Sequence, residues 1–337
     1  MYVNRRYPLR MTLAWSKERF LFPFAWALLV TVLHVLFPRW PLLLPALPVT
    51  LIGTAVAFYL GFRNSSSYGR LWEARQIWGG IVNASRSWAV ATRDLVVAAP
   101  GLDGPELDAV RFSLVRRHVA WLDALRHALR TPREWEHTSP ADHRLRRELG
   151  MPERQESLEE VVAASVGVDE ATEVCAGINP PAHLLSRQSQ AVADLRARGA
   201  LDGFSHIHLQ RLVDEFYALQ GKSERIKNFP FPRQYATVVT YFAGLFVLLL
   251  PCALLAPFSG LGPVWVWLTA PFSGLVGWVF LTADKIGDAS ENPFEGLYND
   301  VPITTMARGI ERDVLELVGV GKADLPPARS AQNGIQF

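Results

Sequence analysis

Between Arg19 and Arg63 this chain carries one charged residue, Arg39, and between Arg233 and Asp284 it carries none. A bilayer core requires roughly 20 apolar residues per helix, so each run fits two membrane spans. Only helices and closed barrels satisfy every backbone N–H and C=O away from water. Both runs are read as helices. Composition agrees: half of the 337 residues are hydrophobic and the mean hydropathy is positive. The spans are placed at 22–37, 42–62, 236–255 and 264–283. The formal net charge of +2 is too small to suggest a nucleic-acid binder.

Most of the Arg and Lys lies between the two apolar regions, which puts that segment in the cytosol by the positive-inside rule. Four spans then place both termini on the same side. Arg5, Arg6, Arg10, Lys17 and Arg19 precede the first span, so the start reads as a retained amphipathic arm and not as a cleaved signal. Trp265 and Trp267 open the fourth span as interfacial anchors, and Pro251 and Pro271 are expected to bend their helices. Cys175 and Cys252 are the only cysteines and support neither a disulfide framework nor a zinc site.

The central segment is helical in pattern. Val115, Val119, Leu122, Leu125 and Leu129 recur at helical spacing, as do Leu209, Leu212, Val213, Phe216 and Leu219. Residues 131–181 read as loops with short helices. Near the end, Asp300 and Pro302 give a start signal, and Ile303, Met306, Ile310, Val314 and Leu317 form one apolar stripe that needs a partner surface. The chain thus divides into an arm (1–21), two spans (22–62), a cytosolic helical domain (63–233), two further spans (234–283), a C-terminal helical segment (284–323) and a flexible tail (324–337). It holds no internal repeat.

Thr54, Phe58 and Phe62 stand at i, i+4 and i+8, on one face of the second span. With several copies around an axis they form stacked rings, and a hydrophobic constriction of that kind gates by dewetting. Aromatic edges carry partial positive charge, so edge-on rings partly offset an anion's lost hydration. Ordinary helix packing produces the same spacing, and spacing alone favours packing.

The flanking residues carry a family resemblance. Leu60-Gly61-Phe62-Arg63-Asn64-Ser65, followed by Tyr68, Arg70 and Trp72-Glu73-Ala74-Arg75, resembles the bestrophin signature at the end of the second helix. Glu224-Arg225-Ile226-Lys227-Asn228 with Pro230 and Pro232 resembles the approach to that family's third span. Asp284-Lys285-Ile286-Gly287, Glu291-Asn292-Pro293-Phe294 and Asn299-Asp300-Val301-Pro302 resemble the segment after the fourth. The three matches fall in order, correctly placed among four spans.

The resemblance implies a homopentamer whose second helices line a pore, with Thr54, Phe58 and Phe62 at three neck positions. Bestrophins typically have larger apolar residues at all three, so Thr54 is a departure. Phe204, after Asp202-Gly203, falls at the family's cytosolic aperture; its alternative is a buried contact at a helix start. His206 and His208 nearby read as solvated surface groups. Arg63 offers a ring of positive charge that attracts ions, against the alternative of a snorkelling or salt-bridged arginine. Animal bestrophins follow the Asn-Pro-Phe motif with an acidic run. Here Glu295-Gly296-Leu297-Tyr298-Asn299-Asp300 follows, so calcium gating is not expected and Asp300 reads as a helix cap.

Glu136-His137 with Asp142-His143 has a metal-like composition in loop-like surroundings. Two sequons, at Asn64 and Asn83, are irrelevant if cytosolic. There is no phosphate-cradling loop, nucleophile elbow or zinc-hydrolase helix. The reading is an all-α membrane protein: four spans per subunit plus a cytosolic helical bundle, in a bacterial inner membrane. Its function is passive conduction of small ions, an anion such as chloride before a monovalent cation, with no enzyme activity, cofactor or metal. Its partners are its own copies, the lipid bilayer and small inorganic ions. A secondary transporter or a non-conducting scaffold is the alternative.

Overall fold

The structure is a computed structural model that describes residues 1–337 apart from 138–150, 152, 154 and 333. The described residues form ten α-helices: α1 (Leu9–Leu36), α2 (Ala46–Leu95), α3 (Gly104–Arg130), α4 (Leu158–Val166), α5 (Val168–Cys175), α6 (Pro180–Ala197), α7 (Gly203–Asn228), α8 (Arg233–Ser259), α9 (Thr269–Asp288) and α10 (Ile303–Leu317). Among them, β-structure amounts to isolated bridges. Two compact units result, one of residues 4–70 and 230–291, the other of 1–3, 71–229 and 292–337.

The first unit holds the apolar helices. α1, the first half of α2, α8 and the stretch Trp265–Asp288 are each long and apolar enough to cross a membrane. The helices reach beyond the spans placed from the sequence. The basic arm does not stand apart, because helix α1 already starts at Leu9 and runs without a break into the first span. The helix that carries the second span runs on past Phe62: α2 extends to Leu95 and is 50 residues long in all. Arg, Glu, Ala and Gln after Phe62 are good helix formers, and no proline follows until Pro100. Pro251 lies inside α8, as does Pro257. Pro271, however, sits in the first turn of α9, where an absent N–H costs nothing, so it starts that helix and does not bend it. Trp265 and Trp267 precede α9 in a 3₁₀ turn and are largely exposed.

Small residues let these helices approach. A Cβ on Gly277 of α9 would lie 2.6 Å from the Pro23 ring of α1, and one on Gly53 of α2 would lie 2.5 Å from Phe246 of α8. Helices in lipid gain little from the hydrophobic effect and associate through such close packing. Val49, Val56 and Leu60 of α2 are buried with Val239, Ala243, Phe246, Val247 and Leu250 of α8.

The second unit has a conventional apolar core built around Trp78, Trp88, Trp121 and Phe216. Both helical stripes of the central segment are buried in it. The α10 stripe also finds its partner within the chain. Ile303, Ile310 and Val314 are buried in this core, with Met306 and Leu317 packed against it. It therefore does not require a second copy. The last residues are not free either: Ile335 and Phe337 are buried with Met151 against Tyr2 and Tyr298. The Val3 amide donates to the Gly334 carbonyl, and the Thr305 amide to that of Phe337. Two apolar residues and one bridge are too short a pattern to distinguish such a segment from a tail.

His118 lies wholly inside this core, with ring centroids 4.5 Å from Phe216 and 5.2 Å from Trp121. The Ser85 hydroxyl donates to the Ile81 carbonyl at 2.6 Å. The 2.8 Å contact from His118 Nε2 to Ser85 Oγ is therefore an N–H donation, which fixes the neutral tautomer. Burial pushes this histidine down to about 3. An unfolded histidine takes up a proton near pH 6.5 and the folded one does not, so stability is lost as pH falls below that value, by about 1.4 kcal/mol per pH unit and subunit. His118→Gln keeps a donor for Ser85 and removes the titration. Melting in detergent should show the wild type losing far more stability than the variant between pH 7.5 and 5. Parallel losses would refute the assignment.

Candidate functional site

Burial separates α2 into two faces. Val49, Gly53, Val56, Leu60, Arg63 and Ser67 are buried, at steps of three and four residues. This is the helical stripe that packs inside the chain. Thr54, Phe58 and Phe62 occupy another face. Phe58 is 65% exposed and Phe62 50%, and Thr54 is exposed as well. The structure thus brings the three residues together as expected, and packing against the rest of this chain does not explain them. The two phenyl rings meet edge to face, centroids 4.5 Å apart and planes at 87°. That geometry points the edge of one ring at the face of the other. The Thr54 hydroxyl donates back to the Thr50 carbonyl at 3.0 Å, so its donor is used within the helix.

Arg63 follows Phe62 but turns the other way. Its side chain is 3% exposed and lies 2.5 Å from Asp284. Weaker approaches reach Asp288 at 3.4 Å and Glu291 at 3.7 Å. The same guanidinium donates to the Thr240 hydroxyl at 3.1 Å. The salt-bridged alternative is therefore the observed one, and the guanidinium is not presented as an ion-attracting ring. These partners leave no trace in the sequence around Arg63, since Asp284 lies 221 positions away.

Phe204 stands in the first turn of α7, where Asp202 caps the helix. One Asp202 oxygen accepts from the amides of Phe204 and Ser205 at 2.7 and 2.8 Å. Phe204 is 89% exposed, which excludes the buried helix-start contact. Ile207, one turn on, is also exposed. His206 is half-buried and His208 exposed.

The turn after α9 is held together by donors of its own and by one from α3. Arg130 donates to the carbonyls of Phe294 and Val301 at 2.8 and 3.4 Å. Glu295 accepts from Asn292 at 2.6 Å and lies 3.0 Å from the His137 ring. Asp300 does not cap α10, whose first turn follows Pro302. It accepts from the Leu297 amide within the turn, and burial, then Glu295, push its carboxyl up to about 6. An arginine among these oxygens opposes a divalent cation there. Glu136 pairs at 2.5 Å with Lys227, both buried, rather than with His137. Asp142 and His143 lie outside the described residues. Among the described residues, no three His, Cys, Asp or Glu side chains are arranged to hold a metal.

Residues 16–316 match the profile described as "Bacterial/Fungal Bestrophin protein". A voltage-dependent anion channel-forming protein of Ralstonia nicotianae is 29% identical over 321 residues, covering 92% of each chain. One from Escherichia coli strain K12 is 26% identical, covering 80% of this chain and 76% of that protein. The fold matches a bacterial bestrophin homolog from Klebsiella pneumoniae with a TM-score of 0.75 at 24% identity, over 90% of this chain and 98% of that one. The profile spans nearly the whole chain and agrees with the four apolar helices: this protein belongs to the bacterial and fungal bestrophin family.

Proposed function

We propose that the chain forms a homopentameric anion channel of an inner membrane, with both termini in the cytosol and five copies of α2 around the axis. Thr54, Phe58 and Phe62 form its neck and Phe204 its aperture on the cytosolic side. Conduction is passive and involves no chemical step. The reading is carried by the two faces of α2: one stripe is buried in the subunit, while the aromatic face is left uncovered on a helix otherwise fit to span a membrane. The names of the Ralstonia and Escherichia relatives support an anion as the permeant species. At the neck, ring edges supply the partial positive charge that an anion meets while shedding water.

Conductance tests the neck directly. Phe58→Ala with Phe62→Ala removes both rings from every subunit and should raise unitary current or open probability in planar bilayers. A barrier lower by about 1.4 kcal/mol gives tenfold faster crossing. Leu60→Ala supplies the contrast, because Leu60 is 4% exposed and packed against α8. It should cost about 2 kcal/mol or more in stability and leave the current unchanged. Well-folded Phe58/Phe62 variants with wild-type currents would dismiss the neck.

Assembly and topology are tested separately. Native mass spectrometry in detergent should give five copies, and a conducting monomer would overturn the pore. In a cysteine-free background, cysteines at Leu261 and Ile178, both well exposed, should differ: an impermeant reagent applied outside should label 261 and spare 178. Labelling of 178 would reverse the topology.

A further inference from the structure

Arg63 is the one basic residue of α2 whose guanidinium is buried within the first unit, and it lies one position beyond the last neck ring. Its partners come from elements other than its own. Thr240 belongs to α8, Asp284 and Asp288 to α9, and Glu291 to the segment that follows. The remaining charges are matched by Arg233, 2.9 Å from Glu291, and Lys285, 2.5 Å from Asp288. Three cations thus face three carboxylates. The Thr240 hydroxyl also lies 3.1 Å from Asp284, joining the α8 and α9 sides of the cluster. Gly287 lets α9 come this close, because a Cβ there would fall 2.2 Å from Asn64 Oδ1.

A planar guanidinium held at several points resists rotation of the helix that bears it. Residues 58 and 62 can turn relative to the subunit only if α2 turns, and turning α2 draws Arg63 out of its carboxylates into apolar surroundings. That movement is strongly opposed. We propose that Arg63, through Asp284, is a positioning residue that locks the rotation of α2 and so holds Phe58 and Phe62 across the neck. The proposal rests on the neck reading above. It assigns Arg63 to the open–closed balance and not to attraction of ions along the path.

Single-channel recording separates these roles. Arg63→Gln and Asp284→Asn should each raise open probability at least threefold, with unitary conductance and the anion-to-cation permeability ratio as in wild type. The double variant should match the larger single effect and not their product, since both remove the same contact. An ion-attracting arginine predicts the opposite: Arg63→Gln lowers unitary conductance, most at low salt, and leaves open probability alone. That result, a multiplicative double variant, or a fall in open probability overturns the proposal. Should the charge-removing variants fail to assemble, Arg63→Lys keeps the charge while losing the fork, and Thr240→Val removes one anchor. Each should raise open probability more modestly, and an unchanged value in both would overturn the proposal. Arg63→Gln placed on Phe58→Ala/Phe62→Ala isolates the dependence on the neck. No further change is expected there; a persisting effect defeats the lock and spares the neck. If Phe58→Ala/Phe62→Ala alone changes nothing, the neck itself fails.

Discussion

The organisation of the first unit depends on how α2 is used. A helix in an apolar medium satisfies its own backbone, so its position is set by side chains alone. Along α2 those side chains fall into a buried stripe, from Val49 through Gly53, Val56, Leu60 and Arg63 to Ser67, and an uncovered aromatic face. The stripe begins with close apolar packing, where Gly53 meets Phe246, and ends in charge, where Arg63 meets Asp284. Van der Waals packing sets the distance between helices but resists rotation poorly when the surfaces are smooth. The ion pair adds direction, because a fork of donors must meet particular oxygens. The two contacts therefore fix different coordinates of the same helix.

The second unit uses polar contacts in another way. Its buried charges close turns and join helices: Arg126 binds Asp123, Glu153 and Glu156, while Arg130 holds the carbonyls around the Asn-Pro-Phe turn. Gly296 supports that turn with φ at +85°, a conformation natural to glycine. The turn is thus braced by protein donors and carries a protonatable Asp300 in its interior. His118 follows the same logic, as a neutral donor to Ser85 within an aromatic cage. Such groups are held by their hydrogen bonds because burial disfavours their charged forms.

Much of this was legible in the sequence, and the limits have physical causes. The four spans follow from missing charge, a property of composition that no distant contact alters. Thr54, Phe58 and Phe62 share a face because spacing fixes angle on a helix. Their exposure was not legible, since a packed face and an uncovered one have identical periodicity. The partners of Arg63 were hidden for a different reason: contact between residues 63 and 284 leaves no local trace. Helix ends were not legible where helix propensity outlasts hydrophobicity, as beyond Phe62, and proline's effect was not where it turns on position within a helix, as at Pro271. Asp300 looked like a cap because Asp before Pro is a common start signal, but the nearby Leu297 amide takes its oxygen.

Separating the faces of α2 also accounts for Thr54. A substitution on the buried stripe has to fit α8, where a Cβ on Gly53 alone would fall within 2.9 Å of two Phe246 carbons. Thr54 faces no such restriction within its own subunit. Its hydroxyl is returned to the Thr50 carbonyl, so replacing a larger apolar residue leaves no unsatisfied donor in the apolar region. What remains outward is a methyl group and oxygen lone pairs. On the proposed pore, that ring is wider and better wetted than the two phenyl rings, but its lone pairs offer nothing to an anion. On the same proposal the barrier and the preference for negative charge both fall to Phe58 and Phe62, whose edges carry partial positive charge and whose helix is packed on its opposite face.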